Sequence, residues 1–313
     1  MRQNINVYAA ALTLLFTAAA CSNNQDEAPQ NGVRQGELAF IVSNESATRA
    51  TDSQFEVGDA IGVFASTTGD GKLTATGNYA DNAKYLYSSG RFINAGVGIA
   101  VPKDLDREVS YYGVYPFQDN AKATFDFTIN KDQSTFDSYT KSDLCLAAAT
   151  AGSNEALVPL KFSHVMSRVL VDASEAGLVA GTYRIELLAY KSSVSVDMQN
   201  QSVTALSSNT AMNVKMCEDG SNHFKAILPP QVLSTVDVVG NLFIGNQPAR
   251  SIVLSNDIEL VSGTSIELKL RKNADGVYYF GYGGTGDSSI PGDDDADENP
   301  EIGEPTTTIP NIQ

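Results

Sequence analysis

Two runs decide the fold class of this chain: Y-R-I-E-L-L-A-Y at residues 183–190 and, two residues later, S-V-S-V-D-M at residues 193–198. Both are short and rich in β-branched or aromatic residues, and turn-forming residues border them, which favours strands. No long stretch shows the 3.6-residue periodicity of an amphipathic helix, and only residues 142–149 are a candidate for a short helix or turn. The body of the chain is therefore predicted to be all-β.

Similar runs recur on both sides of this pair, at the spacing that is typical of β-sandwiches. The segment D-A-S-E-A-G-L-V-A-G at residues 172–181 interrupts the pattern. We therefore expect two domains, the first at residues 37–172 and the second at residues 173–283. The other strand-like runs are residues 38–42, 60–65, 109–115, 124–129, 167–171, 224–228, 236–244, 250–254 and 265–270.

The charge of the chain limits its partners. It carries 37 acidic and 21 basic residues, a net charge of −16, so a nucleic-acid partner is not predicted. Eight of the acidic residues and no basic ones fall in residues 283–313. This segment is rich in Gly, Pro and Asp and cannot build a core, so residues 284–313 are predicted to form a disordered acidic tail.

The N-terminus has the pattern of an exported lipoprotein. After Arg2, an apolar run at residues 7–20 ends at Cys21. A run of this length is too short for a membrane-spanning helix, which needs about 20 residues, but it suits a signal peptide. Cys21 resembles a lipobox cysteine, although Ala18 stands where that motif favours leucine; the alternative is an ordinary cleaved signal peptide.

On the lipoprotein interpretation, residues 1–20 are the signal peptide and Cys21 becomes the first residue of the mature protein. Cys21 would carry acyl chains such as palmitate, and residues 21–36 would form a linker to the first domain. Several acyl chains anchor a protein stably. The protein is therefore expected at the surface of the outer membrane, held by lipid.

The chain offers few residues for catalysis or metal binding. Besides Cys21, only Cys145 and Cys217 remain, and their spacing favours two buried thiols over a disulfide. Neither His164 nor His223 has cysteine or carboxylate neighbours at metal-ligand spacing. His164 lies in a strand-like pattern and is predicted to be a structural histidine. No catalytic residue, metal or cofactor is predicted.

Five segments, in this order, carry a family resemblance. They are T-R-A-T-D at residues 48–52 with F-E-V-G-D-A-I-G-V-F-A at 55–65, Y-Y-G-V-Y-P-F at 111–117, S-D-L-C-L-A at 142–147, L-K-F-S-H-V-M-S-R-V at 160–169 and A-I-L-P-P-Q at 226–231. Together they resemble the fimbrillin family, the type V pilins and pilus-associated lipoproteins of Gram-negative anaerobes. The resemblance implies two tandem transthyretin-like β-sandwiches, no enzyme activity, and assembly into surface fimbriae for adhesion and biofilm formation.

The resemblance also implies assembly by donor-strand exchange. In such pilins an arginine-specific protease cuts after the first strand, which leaves and is replaced by a strand of another subunit. Here cleavage between Arg49 and Ala50 would release E-L-A-F-I-V, whose alternation puts Leu38, Phe40 and Val42 on one face. Losing that strand forfeits about 1.5–3 kcal/mol of burial per side chain, which a donor strand would restore. The alternative is that Arg49 is merely an exposed loop arginine.

The acidic tail departs from shaft pilins, which carry apolar C-terminal strands for donation. Pro305 and Pro310 leave only residues 306–309 between them, too few for a donor strand. A subunit that receives a strand without donating one suits the distal end of a fimbrium, so a tip or tip-proximal subunit is predicted. Its partners would be other fimbrial subunits, outer-membrane lipid through Cys21, and an unknown host or bacterial receptor.

Two other function classes stay open. A surface glycan-binding lipoprotein would also be acidic, lipidated and all-β, and it should expose a cluster of aromatic side chains. The run Y-Y-F-G-Y at residues 278–282 is the one sequence that could supply such a cluster. A surface hydrolase would need paired carboxylates in a cleft, and the sequence singles out no pair.

Overall fold

The computed structural model describes residues 36–42, 55–207 and 211–285. Within these ranges the chain is almost entirely β, which confirms the predicted all-β class. None of the described helices is long and apolar enough to cross a membrane. The strands of the first half are β1 (Ala39–Val42), β2 (Ala60–Ser66), β3 (Ala80–Ser88), β4 (Arg91–Asn94), β5 (Val109–Tyr115), β6 (Thr124–Thr128), β7 (Cys145–Ala151), β8 (Leu157–Leu160) and β9 (Phe162–His164).

The second half of the described chain is also built from short strands. A 3-10 turn at Ser174–Ala176 lies between the first two strands of this half. They are β10 (Ser167–Asp172), β11 (Tyr183–Ala189), β12 (Ser193–Asp197), β13 (Ser202–Leu206), β14 (Met212–Lys215), β15 (Cys217–Glu218), β16 (His223–Leu228), β17 (Gln231–Leu233), β18 (Gly240–Ile244), β19 (Arg250–Leu254), β20 (Ile258–Leu260), β21 (Ser265–Lys272) and β22 (Tyr278–Thr285).

The position of helical structure differs from the prediction. Residues 142–149, the candidate for a short helix or turn, lead into β7 and form most of it. The α-helix of the described residues, α1 (Phe136–Thr140), comes just before, and the Thr135 side chain caps it by accepting a hydrogen bond from the Ser138 N–H. The first three residues of β7 are all buried, so this strand shows an apolar run instead of a clean alternation.

The chain connects the two edges of the first sheet. Among the described strands its order is β8-β1-β4-β3-β2-β5-β7-β9, and its two edge strands, β8 and β9, are separated only by Lys161. The chain therefore passes directly from one edge of the sheet to the other. All eight strands contribute buried side chains to one apolar cluster, which we call the first core. The sheet is thus rolled around the first core.

The second sheet has the order β14-β11-β18-β19-β22-β21-β10-β16-β15, and smaller sheets, β13-β12-β6 and β17-β20, complete the described structure. The buried apolar cluster of the second sheet also includes Phe64 and Tyr112, which project from the face of the first sheet that is opposite the first core. Strand pairing crosses the predicted boundary at residue 172, because β10 lies in the second sheet and β6 pairs with β12. The predicted division into two domains there stays a prediction.

Two buried glutamines bind backbone groups that no neighbouring strand reaches. Gln133 Nε2 donates to the Ile227 carbonyl (2.9 Å), and the Ile227 N–H donates to Gln133 Oε1 (2.8 Å). Gln231, at the end of the A-I-L-P-P-Q segment, pairs with both backbone groups of Lys191 in the same way, at 3.0 Å each. Each amide thus satisfies a backbone N–H and a backbone C=O as an added strand would, and at Ile227 both groups are buried.

Candidate functional site

The predicted displaced strand corresponds to β1, which has a neighbouring strand on each side. It runs antiparallel to β4, with Phe40 opposite Phe92, and parallel to β8, with Phe40 opposite Val158. Among the described strands, β8 pairs with no strand other than β1. Strand β1 therefore joins an edge strand to the rest of the first sheet.

Further bonds hold the chain just before β1. The Leu38 N–H donates to the Ile99 carbonyl at 2.8 Å, and the Glu37 carboxylate accepts a hydrogen bond from Asn94 Nδ2. The segment is therefore fixed by backbone pairing and by a side chain before the ladder with β4 begins. Removing it would break both kinds of contact.

The burial of β1 agrees with the alternation in the sequence. Leu38 and Phe40 are fully buried in the first core, and Val42 is half-buried against it. Ala39 faces the other way and is also buried. The strand therefore occupies a slot in which large apolar side chains fit on one face and a small one fits on the other.

Aromatic rings surround Phe40. Its ring lies 4.8 Å from that of Tyr85 and 5.8 Å from that of Tyr111, both edge-to-face, an arrangement that adds to the energy of burial. Burial raises the pKa of Tyr85 to about 12 and also raises the pKa of Tyr111. Both phenols are therefore neutral at physiological pH, and neither places a charge beside Phe40.

The predicted cleavage residues Arg49 and Ala50, and the predicted lipidation residue Cys21, lie outside the described residues. Their roles stay predictions. After them the described chain resumes at Phe55, whose ring lies 5.0 Å from that of Phe92 and 5.5 Å from that of Phe162. These partners belong to β4 and β9, so the chain that follows the predicted cut is held in the first core by strands other than β1.

A second group of polar side chains meets where β7 pairs with β9. Cys145 lies opposite His164 in the ladder, and His164 Nδ1 is 3.4 Å from Cys145 Sγ and 2.9 Å from the Asp143 carboxylate. Burial lowers the pKa of His164, but its contacts with the Asp143 carboxylate and with Cys145 outweigh burial and raise that pKa to about 10. His164 is thus hydrogen-bonded, as predicted.

The sequence reasoning missed that this histidine has a cysteine and a carboxylate beside it. His164 lies 19 residues after Cys145, and only the register between β7 and β9 brings it to Asp143 and Cys145. The available signal for this group was the pair Asp143 and Cys145, two residues apart and followed by a strand-like segment that contains His164. Cys145 and Cys217 are both buried and do not form a disulfide, as predicted.

The aromatic run at residues 278–282 does not form the exposed cluster that a glycan-binding site would need. Strand β22 alternates between the two faces of the second sheet, so Tyr278 and Phe280 are buried in the core. Tyr282 is exposed. The observation that would favour a glycan-binding lipoprotein is therefore missing from this run.

Comparisons with known proteins agree on one family. The family model described as fimbrillin-like matches residues 48–282. A curated relative from Bacteroides ovatus, Fim1C, provisionally named a fimbrium tip subunit, is 29% identical over 183 residues. That match covers 50% of this chain and 33% of the relative, so it spans about a third of the relative's length.

Solved structures share the fold. A provisionally named cell adhesion protein from Bacteroides ovatus superposes with a TM-score of 0.59 at 19% identity, over 80% of this chain and 94% of that one. A similarly named protein from Bacteroides uniformis gives a TM-score of 0.57 at 17% identity, over 81% of this chain and 98% of that one. At these identities the likeness establishes the fold.

Proposed function

This chain belongs to the fimbrillin-like family, and from that premise we propose that it is a non-enzymatic subunit of a cell-surface fimbrium. It is assembled by donor-strand exchange after β1 is removed, and it stands at or near the tip. The observation that carries the proposal is the position of β1 between β4 and β8, where it completes the rolled first sheet.

Removal of β1 would open one slot with two unpaired edges. One edge is β4 and the other is β8, and each would lose a row of backbone hydrogen bonds. An incoming strand restores both ladders only if it runs antiparallel to β4 and parallel to β8. A donor strand that enters the slot in the same direction as β1 therefore reproduces both ladders.

The emptied slot would also expose apolar surface. Leu38 and Phe40 are fully buried, and the burial of each contributes about 1.5–3 kcal/mol. A donor with apolar side chains at these two places would recover that contribution, which is the general logic of β-augmentation. The cost of leaving the slot empty favours capture of a strand from another subunit.

The tip position is supported by the name of the curated relative and by the sequence of the acidic segment. Fim1C of Bacteroides ovatus is provisionally named a fimbrium tip subunit. In this chain residues 284–313 carry eight acidic residues, and Pro305 and Pro310 interrupt the end of this segment. Prolines lack a backbone donor and carboxylates oppose burial, so this segment is not suited to fill the slot of a neighbour.

The remaining features complete the proposal. The two halves correspond to tandem transthyretin-like sandwiches. The predicted tail cannot start at residue 284, because Gly284 and Thr285 belong to β22 and pair with β21. The protein reaches the outer membrane as a lipoprotein anchored at Cys21, and cleavage after Arg49 releases the chain for assembly. Contribution to adhesion and biofilm formation follows from incorporation into the fimbrium.

The mature N-terminus of surface-purified protein tests the processing step. We expect mass spectrometry to find Ala50 as the first residue. Arg49→Ala should block cleavage, whereas Arg34→Ala, which removes an arginine before β1, should leave it unchanged. A chain from the cell surface that begins only at lipidated Cys21 would contradict processing.

Strand capture tests the assembly step. The protein cleaved after Arg49 is mixed with itself and, separately, with a shaft pilin from the same fimbrium. We expect the pilin to capture the cleaved protein with release of β1, and the cleaved protein alone to stay monomeric. Fibres that form from the cleaved protein alone and depend on residues 284–313 would identify a shaft pilin instead.

Lipidation makes a separate prediction. Because the apolar run at residues 7–20 ends at Cys21, Cys21→Ser is expected to abolish lipid attachment and the protein's recovery in the outer-membrane fraction. Detergent phase partitioning measures the result, with Cys217→Ser as the control that should partition like the parent. A Cys21→Ser protein that still enters the detergent phase would disprove the lipoprotein interpretation.

A further inference from the structure

Asp143, Cys145 and His164 place three different metal-ligating atoms in one small volume. Their carboxylate oxygen, thiol sulfur and imidazole nitrogen all lie within 4.8 Å of one another. Asp143 and Cys145 are buried, and the side chains of His164 and Asp143 keep only 7% and 11% of their surface exposed. The group is thus nearly enclosed and retains a narrow contact with solvent.

The spacing of these atoms is close to that of a tetrahedral zinc site. With zinc–nitrogen bonds of about 2.0–2.1 Å and a zinc–sulfur bond of about 2.3 Å, neighbouring ligand atoms lie about 3.3–3.6 Å apart. His164 Nδ1 lies 3.4 Å from Cys145 Sγ and 2.9 Å from Asp143 Oδ1. Small side-chain movements would therefore bring the three atoms into position around one ion.

A catalytic role fits these residues less well. A nucleophilic cysteine must meet a substrate, and Cys145 has no exposed surface. A catalytic histidine also uses one ring nitrogen for the nucleophile and the other for the carboxylate, as in serine hydrolases. Here Cys145 and Asp143 both approach Nδ1. The second ring nitrogen is therefore not used in the way that a catalytic relay requires.

We propose that Asp143, Cys145 and His164 bind a divalent transition metal, with zinc as the preferred ion. Binding forms one bond each from zinc to Cys145 Sγ, His164 Nδ1 and an Asp143 carboxylate oxygen. The thiol proton and any proton on Nδ1 pass to solvent, and a water molecule takes the fourth position. The ion would connect β7 to β9, close to Lys161, where the chain passes from β8 to β9.

Cobalt(II) is the probe that tests this site, because cobalt bound by a thiolate gives a charge-transfer band and a tetrahedral site gives intense visible bands. The full-length parent, Cys145→Ser and the matched control Cys217→Ser are titrated with Co²⁺, and then with Zn²⁺ to displace it. Cys217 is also buried but, among the residues that the structure describes, belongs to no such group of ligands. Cys21 is common to all three proteins and contributes equally to each spectrum.

We expect the parent and Cys217→Ser to show both sets of bands at one equivalent of Co²⁺, and we expect Zn²⁺ to remove these bands. Cys145→Ser should lack the bands that the other two proteins share. Zinc should also raise the Tm of the parent and of Cys217→Ser, because a ligand that binds the folded state stabilises it. His164→Gln provides a second variant if Cys145→Ser does not fold. The proposal is overturned if the parent shows no thiolate band, or if Cys145→Ser and His164→Gln bind Co²⁺ as the parent does.

Discussion

Replacing Phe40 by alanine is expected to lower the free energy of unfolding by about 3–5 kcal/mol, the usual cost of emptying a buried phenylalanine site. The ring is fully buried in the first core and packs edge-to-face on Tyr85 and Tyr111. Strand β1 also pairs with the edge strand β8, so the cavity would lie where β8 joins the rest of the first sheet. Urea denaturation followed by circular dichroism measures the effect.

Phe136→Ala is the matched control, because that phenylalanine is 41% exposed and lies outside the first core. It should cost less than half as much as Phe40→Ala. Equal losses for the two variants would show that β1 is not a principal support of the first sheet. That outcome would also weaken the proposal that its removal opens a slot that must be filled.

The second large effect is expected at Gln133. Gln133→Ala should lower the free energy of unfolding by about 2–4 kcal/mol, because it leaves the buried N–H and C=O of Ile227 without their partner. Gln231→Ala should cost a similar amount, since its amide makes the same pair of bonds to Lys191. The midpoint and slope of urea denaturation give the comparison.

An exposed glutamine provides the control for both variants. Gln247 lies in an exposed turn, and Gln247→Ala should change stability by less than about 0.5 kcal/mol. If Gln133→Ala were as mild as Gln247→Ala, water would be replacing the amide at Ile227. The two buried glutamines would then be incidental and not a shared means of satisfying strand edges.

Part of the fold could be predicted from the sequence because local composition determines it. The all-β class and the buried face of β1 followed from short β-rich runs and from alternation at Leu38 and Phe40. Strand β8 was not predicted, because Pro159 argues against a strand. The structure places it at the sheet edge, where a missing N–H costs little. Strand β3 was missed because, of its side chains, only Tyr85 is buried.

Register explains what could not be predicted at the candidate sites. The parallel pairing of β1 with β8 joins segments more than a hundred residues apart, and no local pattern encodes that partner. The same holds for the meeting of Asp143 and Cys145 with His164 across β7 and β9. Residue type indicates which groups could do chemistry. Only the pairing of distant strands shows which of them meet.

The two-sided pairing of β1 has a mechanical consequence. Hydrogen bonds in a sheet run across the strands, so a pull along the axis of β1 loads its bonds to β4 and β8 in shear, and they must fail together. An edge strand peeled from its end would lose its bonds one at a time under a smaller force. A subunit joined to its neighbour through this slot would therefore resist tension along the filament with both ladders at once.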